Sequence, residues 1–187
     1  MNKGTLLPIV ELGNPMLRKV AKKAMFPLQD DTLKLIQNMF FTMFETNGVG
    51  IAAPQVGVSL QIFIVASRPN KRYPYAPKMK PTVMINPSVT SEGNMTVVDW
   101  EGCLSVPNIR GLVPCSDTVS VEYQDKLGKQ HTRTFSGFPA RIIQHEFAHI
   151  RGLLFTDRVK SSKDLYSQAE FEKRLAQRSK TKIPKSA

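Results

Sequence analysis

Two histidines four residues apart, with a glutamate following the first, stand in Gln144-His145-Glu146-Phe147-Ala148-His149. On a helix that spacing puts both imidazoles on one face. Two neutral imidazoles suit a borderline transition metal, and the intervening Glu146 can manage the protons of a water activated there. The short motif also fits a surface helix that binds nothing. A catalytic metal needs a third protein ligand. No histidine follows His149, and Glu170 and Glu172 fall on what reads as a solvated terminal helix. Upstream, Glu101-Gly102-Cys103-Leu104-Ser105 offers a cysteine in a Gly-flanked segment directly after a strand pattern. A thiolate with two imidazoles is a sound donor set. A free cysteine is equally a small buried hydrophobe.

The remaining segments must position these groups. Leu33, Ile36, Met39, Phe40, Met43 and Phe44 recur at helical spacing and predict an amphipathic helix over 31–46, with Asp30 or Asp31 as N-cap and Asn47-Gly48 as its stop. Gly48-Val49-Gly50-Ile51-Ala52-Ala53-Pro54-Gln55 is small-sided enough for a ligand to approach its backbone, and its one uncharged amide reads as a donor aimed at something. Strand character marks 60–66, 83–89, 95–100, 118–124 and 130–135, with a hairpin turn at 126–129. Pro69, Pro74, Pro77 and Pro81 mark an exposed loop. Pro139 opens a helix over 140–150 that carries the two histidines. A last helix is expected from about Ser162 to Gln177, with Leu165, Phe171 and Leu175 facing inward. The fold class is α+β, mixed or antiparallel strands packed around the central H-E-x-x-H helix, with a C-terminal helix.

A chain of 187 residues suits one domain, residues 1–187, with a basic tail from about 180. No apolar run reaches signal-peptide or membrane-spanning length, so a cytoplasmic location and no membrane partner are expected. Two cysteines make no disulfide framework. The net charge is +11, and residues 158–187 carry nine Lys or Arg against Asp164, Glu170 and Glu172. A polyanion such as the ribosome surface is the partner this segment suggests, beside simple solubility. On that view the segment steers, and a chain cut after about Asp157 keeps whatever activity the domain has.

The glycine segment, Glu101-Gly102-Cys103-Leu104-Ser105 and Gln144-His145-Glu146-x-x-His149 resemble, in order and spacing, the three motifs of the peptide deformylases. The resemblance spans nearly the whole chain. It implies a hydrolase that removes the formyl group from formyl-methionyl nascent peptides. It further implies one divalent metal, Fe2+ in cells and replaceable by Ni2+, Co2+ or Zn2+, held by Cys103, His145 and His149. Glu146 would take the proton of the attacking water and pass it to the leaving amine. The Gln55 amide and the Leu104 N–H would hold the oxyanion. Val49 and Gly50 would pair with an extended peptide, Val49, Phe138 and Ile142 would line the methionine pocket, and Glu101 and Arg110 would stand near it. A monomer is expected. The chain departs from the family at Ala148, where Asp is usual, and at Cys115, where Arg is common; residues 68–81 are long for this connection. These departures bear on rate, metal affinity or substrate preference. The alternatives are a divergent paralogue acting on another N-acyl peptide, and a non-catalytic metalloprotein that binds peptide or RNA.

Overall fold

The computed structural model describes residues 4–70 and 73–181. In chain order its regular elements are α1 (Asp30–Glu45), β1 (Gly50–Ala52), β2 (Ile62–Val65), β3 (Thr82–Glu92), β4 (Thr96–Cys103), β5 (Val106–Ser116), β6 (Thr118–Gln124), β7 (Gln130–Ser136), α2 (Gly137–Ile150), β8 (Leu165–Ser167) and α3 (Gln168–Thr181). Two antiparallel sheets result, one ordered β1-β2-β3-β6-β7 and one ordered β4-β5-β8. The α+β expectation therefore resolves to antiparallel sheets. The parallel pairing among the described residues is an isolated bridge between Lys22 and Leu60.

The larger sheet is covered on both faces, and β2 shows why. Its four residues, Ile62-Phe63-Ile64-Val65, are fully buried. Side chains alternate across a strand, so Phe63 and Val65 pack with Ile142 and Ile143 of α2, whereas Ile62 and Ile64 pack with Ile36, Met39 and Met43 of α1. A third apolar cluster, including Leu17, Val113, Leu154 and Phe155, lies around Cys103 and Cys115.

Several expectations change. Gln29 occupies the α1 N-cap without a side-chain bond; Asp30 and Asp31 lie in the first turn, where their charge meets the positive helix end. Leu33 and Phe44 are half-exposed rather than core, and the Phe44 ring carries the Arg68 guanidinium 4.1 Å from its centroid. Strand β5 went unread because Pro107, Gly111 and Pro114 punctuate it. Both prolines lie beyond the three residues that β8 pairs, Ile109–Gly111, so one flank of β5 is open beside each.

The last helix begins later than expected. Ser162–Asp164 form a single 3-10 turn and Leu165–Ser167 the short strand β8, and only Gln168 starts α3. Leu165 packs beside the third cluster from a strand, and Leu175 is 42% exposed. The segment beyond Asp157 is thus stitched into the smaller sheet through Arg110–Tyr166 pairing. The basic tail from 182 lies outside the described residues.

The two-sided burial of β2 predicts that Phe63→Ala lowers unfolding stability by about 3–5 kcal/mol. Leu127→Ala, at a turn position 92% exposed, should stay within about 0.5 kcal/mol of the parent. Urea denaturation followed by circular dichroism measures both.

Candidate active site

Each sheet turns an edge strand, β1 or β4, toward one cleft, and α2 runs along its floor. The lining residues include Gly48, Val49 and Gly50 from one side, Trp100 to Leu104 from the other, and Phe138, Ile142, His145 and Glu146 from α2. Glycine is needed at position 50: a Cβ there would collide with Glu146 Oε1 and stand 2.8 Å from Ile142 Cγ2.

At the cleft's inner end one ligand atom each of Cys103, His145 and His149 lies within 4.8 Å of the others. Cys103 ends β4, and its Sγ stands 3.2 Å from His149 Nε2. His145 and His149 sit one helical turn apart, with ring centroids 5.0 Å apart and nearly perpendicular planes. Glu101 Oε2 lies 2.7 Å from His145 Nδ1. Donation of Nδ1–H to that carboxylate fixes the ring with Nε2 toward the cluster, the arrangement found behind ligating histidines.

The charges reinforce this geometry. Burial alone would raise the Cys103 thiol; the neighbouring His149 and His145 rings overcome that effect and hold it well below the ordinary thiol range. Gln55 Nε2 and Ser105 N–H also approach the sulfur, at 3.3 and 3.4 Å. Gln55 Oε1 accepts from Ala52 N–H at 2.9 Å, which fixes its amide so that the NH2 faces Cys103. Burial likewise opposes charge on His145, but Cys103 and Glu101 raise it well above the usual imidazole value. Glu146 is 3% exposed, and among the described residues its Oε2 has no hydrogen-bond partner. Burial, partly offset by His145 and His149, pushes its carboxyl up to about 7. One soft thiolate and two imidazoles converging in a buried pocket fit a divalent transition metal.

Glu101 lines the cleft as expected, yet both its oxygens are engaged. Oε2 holds His145, while Oε1 accepts from Arg141 at 3.0 Å and from the Cys115 thiol at 3.1 Å. Burial would raise the Glu101 carboxyl; the His145 bond and the nearby Arg158 bring it down to about 2. Cys115, where the resemblance leads one to expect arginine, stays a neutral thiol, pushed up to about 11 by burial and by Glu101. Arg141 and Arg158 approach its sulfur at 3.3 and 2.9 Å and supply the positive charge. Arg110 is tied to the start of the C-terminal helix. Its Nε bonds Gln168 Oε1 at 2.7 Å, and its guanidinium fills the space that a side chain at Gly102 would need.

Sequence reasoning missed Arg141, Ser105, Tyr73 and Trp100. Arg141 was legible, since it precedes His145 by one helical turn and so shares its face. Ser105 is fully buried, and its Oγ lies 3.3 Å from Gln55 Nε2. Tyr73, from the proline-rich loop, lines the cleft and packs its ring on Phe138 at 5.2 Å. No local pattern marks it.

The family model for polypeptide deformylase matches residues 6–165. Peptide deformylase 2 of Nostoc sp. is 48% identical over 94% of this chain and 98% of that protein. Peptide deformylase 2 of Ralstonia nicotianae is 41% identical over 81% of this chain and 86% of its own. Among solved structures, a class I type b peptide deformylase from Acinetobacter baumannii with Met-Ala-Ser bound superposes with a TM-score of 0.81 at 42% identity, covering 83% of this chain and 99% of that one. The peptide deformylase of Thermotoga maritima gives 0.74 at 34% identity, over 84% of this chain and 99% of that one. A likeness that runs through sequence and backbone alike, over nearly the full length of those proteins, means that this chain belongs to the polypeptide deformylase family.

Proposed function

We propose that this chain hydrolyses the N-formyl group from the formyl-methionine that begins newly made polypeptides. The observation that carries the proposal is the placement of Glu146: a buried carboxyl with one unpartnered oxygen, between the ligand cluster and the glycine-lined edge of β1.

Cys103, His145 and His149 would hold one divalent ion, Fe2+ in cells, with Ni2+, Co2+ or Zn2+ as substitutes, since thiolate and imidazole accept all four. Such an ion supplies Lewis acidity, which lowers the pKa of water toward neutrality. Glu146, poised near neutral pH, takes a proton from water and returns it to the leaving amine. Gln55 Nε2, aimed into the cleft, and the Leu104 N–H donate to the developing oxyanion. Glu101 braces His145 from beside the methionine pocket.

The peptide would lie extended along Val49 and Gly50, adding a strand beside β1. Val49, Phe138 and Ile142 would take the methionine side chain, with Tyr73 closing that pocket over Phe138. The Acinetobacter relative holds Met-Ala-Ser, a deformylated tripeptide of this class. We further propose that residues 1–187 act as one catalytic domain, monomeric and cytoplasmic, and that the basic face of α3 contacts the ribosome.

Metal-loaded protein should release formate from formyl-Met-Ala-Ser and no acetate from acetyl-Met-Ala-Ser. Glu146→Gln should lower kcat about a thousandfold with metal content unchanged. Loaded wild-type protein that frees no formate would refute the assignment. Gly50→Ala should drive Glu146 aside and cut kcat/KM at least about a hundredfold while α2 stays folded; near-parental turnover would show that the close approach is dispensable. Lys173→Glu with Arg174→Glu should sharply weaken co-sedimentation with ribosomes at low salt. Undiminished sedimentation would remove α3 as the contact.

A further inference from the structure

We infer that Trp100 is a specificity-determining residue, the wall of the cleft that meets the peptide beyond its second residue, and that the C-terminal segment holds that wall in place. The inference deepens the deformylase reading and rests on it for the direction in which the peptide runs.

Trp100 lies on β4, the edge strand of the smaller sheet, and its side chain lines the cleft. It precedes Cys103 by three residues. At roughly 3.3 Å per residue that places it about 10 Å along the strand from the ligand cluster. An extended peptide whose formyl carbon sits at the cluster covers the same distance with its second and third residues. The methionine pocket of Val49, Phe138 and Ile142 is built from the β1 side and from α2 rather than from β4, so the two contacts serve different parts of the substrate.

What fixes the indole is remote in sequence. Its ring meets the edges of Tyr166 at 4.9 Å and Phe171 at 5.0 Å, both near perpendicular, the favoured arrangement for aromatic pairs. Tyr166 is itself set by β8 pairing with β5 and by the Arg174 guanidinium, 4.5 Å from its ring centroid. Arg110 lies 5.0 Å from the centroid of Phe171 and bonds Gln168 at the start of α3. A path of packed rings and cations therefore joins α3 to the cleft. The inner face of the terminal segment builds the wall and leaves its outer charges to solvent. A cut after Asp157 removes Tyr166 and Phe171, so the truncated chain should not keep its full activity on free peptide.

An indole face offers apolar area and a negative quadrupole, so it favours an apolar third side chain over a carboxylate. Trp100 is the sole tryptophan, and its emission reports on the wall directly. In the metal-loaded full-length protein, Met-Ala-Leu should shift that emission and Met-Ala should do so far less. Phe171→Ala and Tyr166→Ala should raise the KM for formyl-Met-Ala-Leu about fivefold and that for formyl-Met-Ala less than about twofold, with kcat nearly constant. Trp100→Phe should recover most of what Trp100→Ala loses. Equal KM changes for both peptides, or emission indifferent to Met-Ala-Leu, would overturn the inference. Emission that responds to Met-Ala-Leu in a protein that releases no formate would leave the wall standing and defeat the deformylase reading alone.

Discussion

A carboxylate taken almost wholly out of water must be matched on every side, and Glu101 is the buried charge on which this site depends. One oxygen meets His145; the other meets Arg141 and the Cys115 thiol, with Arg158 behind. Removing one partner from such a group costs about 3–5 kcal/mol, because the remaining charge is stranded. The matching therefore orders three elements at once: β4 through Glu101, α2 through Arg141 and His145, and the chain after α2 through Arg158. Arg141 also donates to the Val113 and Val97 carbonyls, tying α2 to β4 and β5. The ring orientation of His145 is a by-product of this constraint, and so is the direction in which its Nε2 points.

Small residues do the complementary work. Gly50 lets β1 pass within reach of the Glu146 carboxylate, and Gly102 lets the Arg110 guanidinium lie against β4. Each gap is filled by a functional group of another residue. The first brings backbone donors and acceptors next to the Glu146 carboxylate; the second lets the C-terminal segment close against the cleft strand. The site is thus the meeting line of two sheets rather than a hollow in one.

Local pattern made much of this readable. The i, i+4 histidines, the stripe of Ile36, Met39 and Met43, and the apolar run of β2 announce their elements because one period governs each. Gln55, an amide among small residues, reads as a donor aimed at something, and in the structure the Ala52 N–H holds its oxygen while its NH2 faces Cys103. Strand β5 was hidden by its prolines, whose effect depends on whether a neighbouring strand is present. β8 was taken for helix because pairing with β5, a non-local gain, outweighs the helical preference of its flanks. Glu101 and Arg110 were placed near the peptide by motif position, yet their partners, His145 and Gln168, lie 44 and 58 residues away in the sequence. Trp100 and Tyr73 owe their places to packing between distant segments, which no window of sequence contains.

A short edge strand at the working face has a consequence for how the protein keeps company with itself. Edge strands invite pairing with any extended chain, including another copy of the same protein. Here β1 is three residues long, with Ile51 and Ala52 fully buried, and β4 stands across the cleft from it. An edge only three residues long, faced by a second strand, offers another copy of the same chain little to pair with.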